Sequence, residues 1–252
     1  MFVDTHAHIN SRDCKNIDEV VASAKKNNVL KVVNCADDLN TSYEVVSLNK
    51  RYNLLYPAVG IHPLNVDSID TNTFFELEKI IRNDKVIAIG EIGLDYYYSK
   101  DNMLKQIEIF ELQLKLASKY NLPVIIHSRN ATDDMLKILK NYKLKGVIHC
   151  FSGSIETAKE FIKLGYFLGI GGVLTFKNSK LGEVIKNIPM EYILLETDSP
   201  FLTPEPYRKK VNEPKYIPVI AEKVAFYKNI SVDEVMSITS LNASALFDFS
   251  SK

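Results

Sequence analysis

The chain has 252 residues, of which 46% are hydrophobic and 25% charged, and its 31 basic and 31 acidic residues give a formal net charge of zero. This length suffices for one large α/β barrel or two small domains, and no run approaches the roughly 18 apolar residues of a membrane span. A zero net charge excludes a global basic field, so a nucleic-acid partner would have to be held by a local site.

Eight short β-rich segments alternate along the chain with longer amphipathic segments. In chain order they are FVDTHAHI (2–9), VLKVVNCA (29–36), LLYPAVGIHP (54–63), VIAIGEIGLD (86–95), PVIIHSR (123–129), GVIHCF (146–151), YFLGIGG (166–172) and YILLETDSP (192–200). Nearly continuous apolar strands that alternate with helices indicate a parallel sheet covered by helices. Eight repeats predict an α/β fold of the (β/α)8 TIM-barrel type, as a single domain over residues 1–252. A doubly wound sheet is the alternative, but no glycine-rich phosphate turn follows the first segment.

Helix starts are predicted by three pairs in the S/T-x-x-E capping pattern, which are Thr41 with Glu44, Thr73 with Glu76, and Ser231 with Glu234. The clearest helix spans residues 103–121, where one apolar face is formed by Leu104, Ile107, Phe110, Leu114 and Ala117. The remainder, 201–252, is predicted to be a proline-rich loop followed by two closing helices.

The first segment carries two of the five histidines, His6 and His8, only two positions apart. Side chains at that spacing point to the same side of a strand, so two imidazoles aim at one spot and suggest a metal. The alternative is an accidental pair on a solvated edge strand. The other histidines, His62, His127 and His149, also lie at or near predicted strand ends, where barrels of this kind carry catalytic residues.

Acidic residues fall in the same way, with Glu91 and Asp95 in the fourth segment and Glu196 and Asp198 in the eighth. Carboxylates embedded in apolar strands are costly to bury unless they are paired in a salt bridge or bound to metal. The candidate ligands are His6, His8, Glu91, His127, His149 and Asp198. Six donors are too many for one tetrahedral site with an open water position, so the sequence predicts two divalent ions.

Barrel order assigns these donors to two ions. Because strands 1 and 8 are neighbours, the donors from these strands can share one ion, while His127 and His149 from strands 5 and 6 share the other. Glu91 on strand 4 would bridge the two ions. Such a pair, roughly 3.5 to 4 Å apart, can hold a hydroxide and stabilise both oxygens of a phosphoryl displacement. Mixed imidazole and carboxylate ligands suit zinc or manganese and accept magnesium.

Seven motifs in order along the chain resemble those of the TatD family, metal-dependent deoxyribonucleases related to the amidohydrolases. The motifs are DTHAH (4–8), GIHP (60–63), AIGEIGLDY (88–96), PVIIHSR (123–129), HCFSG (149–153), ETDSPFLTP (196–204) and NEP (212–214). The resemblance implies the same six metal ligands and places His62 near the scissile phosphate. It makes Glu91, His62 and Asp198 catalytic candidates, and Glu196 is a further candidate that orients a ligand or water, or else an ion-pair member.

Arg129 and Arg208 are candidates for contacts with substrate phosphates, although a basic loop is more often a solvated face. Arg208 lies in YRKK (207–210), which lacks the glycine and second arginine often found before NEP in relatives.

The expected function is metal-dependent hydrolysis of DNA, single-stranded and in the 3′ to 5′ direction as the resemblance implies. One alternative is an ester or amide hydrolase, such as a D-aminoacyl-tRNA deacylase or a ring-opening enzyme. A different class is a barrel that binds metal or nucleic acid without catalysis. Three scattered cysteines without CxxC spacing, and no room for a signal peptide before His6, predict a cytoplasmic protein with reduced thiols. No membrane partner is expected, and a monomer is compatible with the sequence.

Overall fold

The structure is a computed structural model that describes residues 1–10, 12, 14, 16–98 and 101–250. Eight strands, β1 to β8, form one parallel sheet in sequential order. They span Phe2–Ala7, Val29–Cys35, Leu55–Val59, Ala88–Asp95, Val124–Arg129, Gly146–Ile148, Tyr166–Ile170 and Ile193–Leu195. The α-helices α1 to α9 span Ile17–Lys26, Leu39–Arg51, Thr73–Asn83, Met103–Tyr120, Thr132–Leu139, Ile155–Lys163, Leu181–Asn187, Ile217–Lys228 and Val232–Leu246. The predicted (β/α)8 barrel is therefore confirmed, and the doubly wound alternative is wrong.

The barrel closes where β1 meets the segment that follows β8. The amide of His8 donates to the Ser199 carbonyl at 2.7 Å, and the amide of Asp198 donates to the His6 carbonyl at 2.9 Å. Below these bonds the Asp4 carboxylate accepts from the amide and the hydroxyl of Thr197, at 2.9 and 2.6 Å. Three of the predicted metal ligands therefore lie at this closing seam.

Six of the eight predicted strands are too long at their carboxyl ends, whereas β4 and β5 end at Asp95 and Arg129 as predicted. His8, His62, His149 and Asp198 all follow their strands instead of lying within them. The first residues after these strands are also buried, so the apolar sequence continues beyond the strand ends. Hydrophobicity alone therefore does not show where the hydrogen bonding between strands ends. These residues consequently sit on turning backbone at the catalytic end of the barrel.

Two of the three predicted capping pairs are wrong. Helix α2 is capped by Asp38, whose carboxylate accepts from the Thr41 amide at 2.8 Å, so Thr41 lies inside the first turn. Thr73 is the first residue of α3, and its hydroxyl donates to Asp70 at 2.8 Å. Ser231 does form the predicted box with Glu234 at the start of α9, and α8 and α9 are the two predicted closing helices.

Helix α4 matches the predicted 103–121 segment, but its buried face differs from the prediction. Leu104 is 84% exposed, while Gln106 and Gln113 are buried. Both side chains hydrogen-bond backbone groups that have no backbone partner in the described part of the chain. The Gln113 side chain accepts from the Ile61 amide at 2.7 Å and donates to the Ile61 carbonyl at 3.0 Å. Gln106 bonds the amide and the carbonyl of Asp95 in the same way, at 2.8 and 3.0 Å. Helix α4 thus holds the loops after β3 and β4, which carry site residues.

Candidate metal centre

The six predicted donors converge at the carboxyl ends of the strands, around the carboxylate of Glu91. On one side, Glu91 Oε2 lies 3.3 Å from Nε2 of both His6 and His8. These two nitrogens are themselves 3.0 Å apart. Asp198 Oδ1 completes this group, at 3.8 Å from His6 Nε2 and 3.6 Å from His8 Nε2.

The other carboxylate oxygen of Glu91 faces a second set of imidazoles. Glu91 Oε1 lies 2.7 Å from Nδ1 of His127 and 3.6 Å from Nε2 of both His149 and His62. His149 Nε2 is also 3.8 Å from Asp198 Oδ1, so His149 borders both groups. The predicted division between strands 1 and 8 on one side and 5 and 6 on the other is present, with Glu91 between them.

Outer partners orient each of these rings. His8 Nδ1 lies 3.2 Å from the Cys35 carbonyl, which only accepts, so we assign its proton to Nδ1 and a lone pair to Nε2. His127 lies between two carboxylates, with Nε2 3.1 Å from Asp95 Oδ2 and Nδ1 2.7 Å from Glu91 Oε1. His149 Nδ1 is 3.1 Å from Glu196 Oε1, which leaves its Nε2 for the cluster. In its neutral form, the ring of His8 therefore turns a lone pair toward Glu91 and Asp198, and Nε2 of His149 and Nδ1 of His127 face the same cluster.

His62 has the opposite arrangement. Its Nδ1 accepts the Leu64 amide proton at 3.1 Å, so the proton of the neutral ring must be on Nε2, which faces the cluster. Burial lowers the pKa of His62 to about 4, which keeps the ring neutral near pH 7. His62 consequently presents a hydrogen-bond donor to the site, whereas a metal ligand needs a lone pair.

Burial and neighbouring charges shift the pKa values of several groups in the donor cluster. Burial acts to lower the pKa of His149, but the charges of Glu196, Glu91 and Asp198 outweigh it and raise that pKa to about 10. Burial also opposes protonation of His8, yet Glu91 and Asp37 raise its pKa to about 9. Burial raises the pKa of Asp198 to about 6. The protons that His8, His149 and Asp198 hold would have to leave before a cation could bind to the same nitrogen and oxygen atoms.

Glu196 lies behind His149 and is fully buried. Its Oε1 accepts the Cys150 amide proton at 2.6 Å, while no described residue hydrogen-bonds to Oε2. A Cβ at position 169 would lie 2.1 Å from that oxygen, so only glycine leaves room for it there. Glu196 thus faces His149 from outside the donor cluster.

The two arginines predicted to contact substrate phosphates, Arg129 and Arg208, lie outside the donor cluster. Arg129 ends β5, with its guanidinium 3.7 Å from the centre of the Tyr97 ring, and it lines a cavity of about 390 Å³ together with His149. The Arg208 guanidinium packs 3.9 Å from the centre of the Phe176 ring and donates to the Thr203 carbonyl at 2.9 Å. Those contacts give Arg208 a part in holding the loop after β8, and its phosphate contact stays a prediction.

Sequence reasoning missed two residues that support the ligands. Asp37, just after β2, lies 3.3 Å from His8 Nδ1, and the buried Cys35 Sγ lies 3.4 Å from His6 Nδ1. In barrels of this kind, polar residues at the carboxyl ends of the strands belong to the site. Applying this rule to β2 would have identified Asp37 and Cys35. Asp95 was noted as a strand-end acid, but its contact with His127 could not be read from spacing.

The sequence matches the family model described as TatD related DNase over residues 3–248. It is 40% identical to the uncharacterized metal-dependent hydrolase YabD of Bacillus subtilis, covering 98% of this chain and 99% of that protein. It is 34% identical to the uncharacterized metal-dependent hydrolase YcfH of Escherichia coli, covering 97% and 95%. The crystal structure of the TatD homologue YjjV of Escherichia coli superposes with a TM-score of 0.92 at 31% identity, covering 98% of both chains. Among the described residues, no helix combines the length and apolar character needed to cross a membrane.

Proposed function

The chain belongs to the TatD family of metal-dependent hydrolases, and on that basis we propose that it hydrolyses phosphodiester bonds of single-stranded DNA from the 3′ end. The observation that carries the proposal is the position of Glu91, whose two oxygens face different sets of imidazoles. A carboxylate placed in this way suits two divalent ions that share one ligand, the arrangement used for phosphoryl transfer.

The residues present fit such ions. His8 Nε2 and Asp198 Oδ1 lie 3.0 and 3.8 Å from His6 Nε2, and both His6 and His8 Nε2 lie 3.3 Å from Glu91 Oε2. Acceptors that face one another repel unless protons or a cation lie between them. His6, His8, Glu91 and Asp198 would hold one ion, and Glu91, His127 and His149 the other, although His149 Nε2 also lies 3.8 Å from Asp198 Oδ1. When bound, the ions would act as Lewis acids and lower the pKa of a water at the site.

The chain's own residues hold this geometry and handle the substrate. Asp95 and Glu196 lie 3.1 Å from the outer ring nitrogens of His127 and His149, and with an ion bound these carboxylates would hold the ring protons there and raise the basicity of the nitrogens that face the site. His62 offers a neutral Nε2–H donor beside Glu91, suited to a phosphate oxygen whose negative charge grows in the transition state. Arg129, at the rim, supplies a fixed positive charge for a neighbouring phosphate.

The proposal is tested on purified protein with single-stranded DNA, double-stranded DNA, RNA and a D-aminoacyl-tRNA, each with magnesium, manganese or zinc. We expect single-stranded DNA labelled at its 5′ end to become progressively shorter as unlabelled mononucleotides leave its 3′ end. Cleavage should be lost in EDTA and should recover when metal is added back. A free amino acid as the only product would replace the proposal with the ester hydrolase alternative. Undiminished cleavage after metal removal, verified by elemental analysis, would refute metal dependence.

A further inference from the structure

A cavity of about 390 Å³ opens beside the donor cluster, between the ends of β5 and β6. His149 lines it on the metal side, and its other walls include Tyr97, Arg129 and Phe151. This volume lies at the small end of the roughly 300 to 1,000 Å³ of small-molecule sites. A cavity of that size next to the proposed metal centre is large enough for one nucleotide unit.

The Arg129 guanidinium lies over the Tyr97 ring at the rim of this cavity. The Arg129 guanidinium lies 3.7 Å from the centre of the Tyr97 ring, and Tyr98 packs edge-on against Tyr97 with ring centres 5.0 Å apart. Tyr97 is 56% exposed, so part of its ring is accessible to solvent. Aromatic rings and arginine guanidinium planes are the surfaces on which single-stranded nucleic-acid bases stack.

The Tyr97–Arg129 pair is rigidly connected to the candidate metal centre. Asp95 Oδ1 accepts the Tyr97 amide proton at 2.9 Å, while Asp95 Oδ2 lies 3.1 Å from His127 Nε2. Gln106 holds the backbone of Asp95, and the Tyr96 amide donates to the Arg129 carbonyl at 2.9 Å. One carboxylate therefore positions both a metal-facing imidazole and the loop that carries the aromatic ring.

We propose that the Tyr97–Arg129 pair is the platform on which the base of the nucleotide next to the scissile phosphate stacks, within the cavity that both side chains line. This inference rests on the proposed function and names how that function's substrate is held. Stacking tolerates any base, because every base has a flat π face, so the platform positions the strand without reading its sequence. Tyr97 is on this view a substrate-positioning residue.

The first test compares Tyr97→Ala, Tyr97→Phe and the control Tyr43→Ala, which removes an exposed tyrosine from helix α2. The substrates are a single-stranded oligonucleotide and the same strand with an abasic residue at its 3′ end. We expect Tyr97→Ala to lose about 5- to 150-fold in kcat/KM on the normal strand, mainly through KM, and Tyr97→Phe and Tyr43→Ala to remain within about twofold. On the abasic strand, Tyr97→Ala and the unsubstituted protein should be equal. An equal loss on both strands would show a merely structural role and overturn the proposal.

The second test reads stacking directly and does not depend on turnover. An oligonucleotide with 2-aminopurine at its 3′ end and a dye at its 5′ end is mixed with metal-loaded protein in a stopped-flow instrument, before cleavage. Dye anisotropy reports binding, and quenching of 2-aminopurine reports stacking. Binding with quenching that Tyr97→Ala abolishes supports the platform, even if no cleavage follows and the proposed activity fails. Binding without quenching, or quenching that survives in Tyr97→Ala, overturns it while leaving the proposed activity intact.

Discussion

Replacing Glu91 with alanine should damage the site more than any other single substitution. The side chain is buried, and its two oxygens lie 3.3 Å from His6 and His8 Nε2 and 2.7 Å from His127 Nδ1. Loss of a residue that merely orients a ligand typically costs 10- to 100-fold in metal affinity or activity. Because Glu91 faces both donor groups directly, we expect turnover to fall at least ~100-fold, which corresponds to about 2.7 kcal/mol in the barrier.

Electrostatic repulsion predicts that the number of bound metal ions falls together with the turnover of Glu91→Ala. Two unit charges 4 Å apart in a partly buried site interact by about 4 kcal/mol, and two divalent ions repel more strongly still. Glu91 and Asp198 are the carboxylates that face the donor cluster and offset this repulsion. With Glu91 removed, we expect at most one ion per chain, while the barrel still folds because one side chain at the catalytic end adds little to the core.

Elemental analysis, circular dichroism and the rate of single-strand cleavage measure these three properties. Glu196→Gln is the contrasting variant, because that residue contacts His149 from behind and lies outside the inner cluster. We expect it to retain both ions, with slower cleavage if the carboxylate handles protons or orients a water. A Glu91→Ala protein with two bound ions and near-normal cleavage would show that Glu91 does not bridge.

Three further outcomes are expected. His62→Ala should keep its metal content and lose about 100-fold in turnover, as a lost transition-state donor does, and a fall in metal content would instead identify a ligand. Metal affinity should rise with pH between about 6 and 8, since His8 and His149, with pKa values of about 9 and 10, must release protons to bind; a pH-independent affinity would contradict this. Oligonucleotide binding should weaken by only ~0.7 log units per phosphate contact for each tenfold rise in salt, and a slope implying about eight or more contacts would reveal a larger basic groove.

The barrel and the donor set were predictable because both follow from simple periodicities. Alternating apolar and amphipathic segments gave the eight strands in order, and the strand-end rule selected donors that the fold does bring together. The His6–His8 spacing worked as expected, since both Nε2 atoms reach one carboxylate oxygen. Their role as metal ligands remains a prediction that the metal analysis tests.

The details that escaped prediction depend on contacts between distant segments. Tautomers are one case, because the Leu64 amide that fixes the proton of His62 and the carbonyl that fixes His8 were not identifiable from residue types. Backbone conformation is another, since Cys150 and Asp198 adopt positive φ angles of 46° and 57° that no local pattern signals. The burial of Gln106 was not predicted, because polar residues are usually exposed, yet its side-chain amide bonds the buried backbone of Asp95.

The seam between β1 and β8 links the site to the order in which the molecule can assemble. His6 lies in the first strand, His8 directly follows it, and Asp198 comes just after the last strand, nearly two hundred positions later. The amide of His8 bonds the Ser199 carbonyl and the amide of Asp198 bonds the His6 carbonyl across this seam. No partly folded chain that lacks the last strand can offer this ligand set, so an ion can enter here only after the barrel has closed. Once bound, the ion would tie the two ends of the sheet together, and removing it should speed hydrogen exchange at these seam amides before it affects the rest of the barrel.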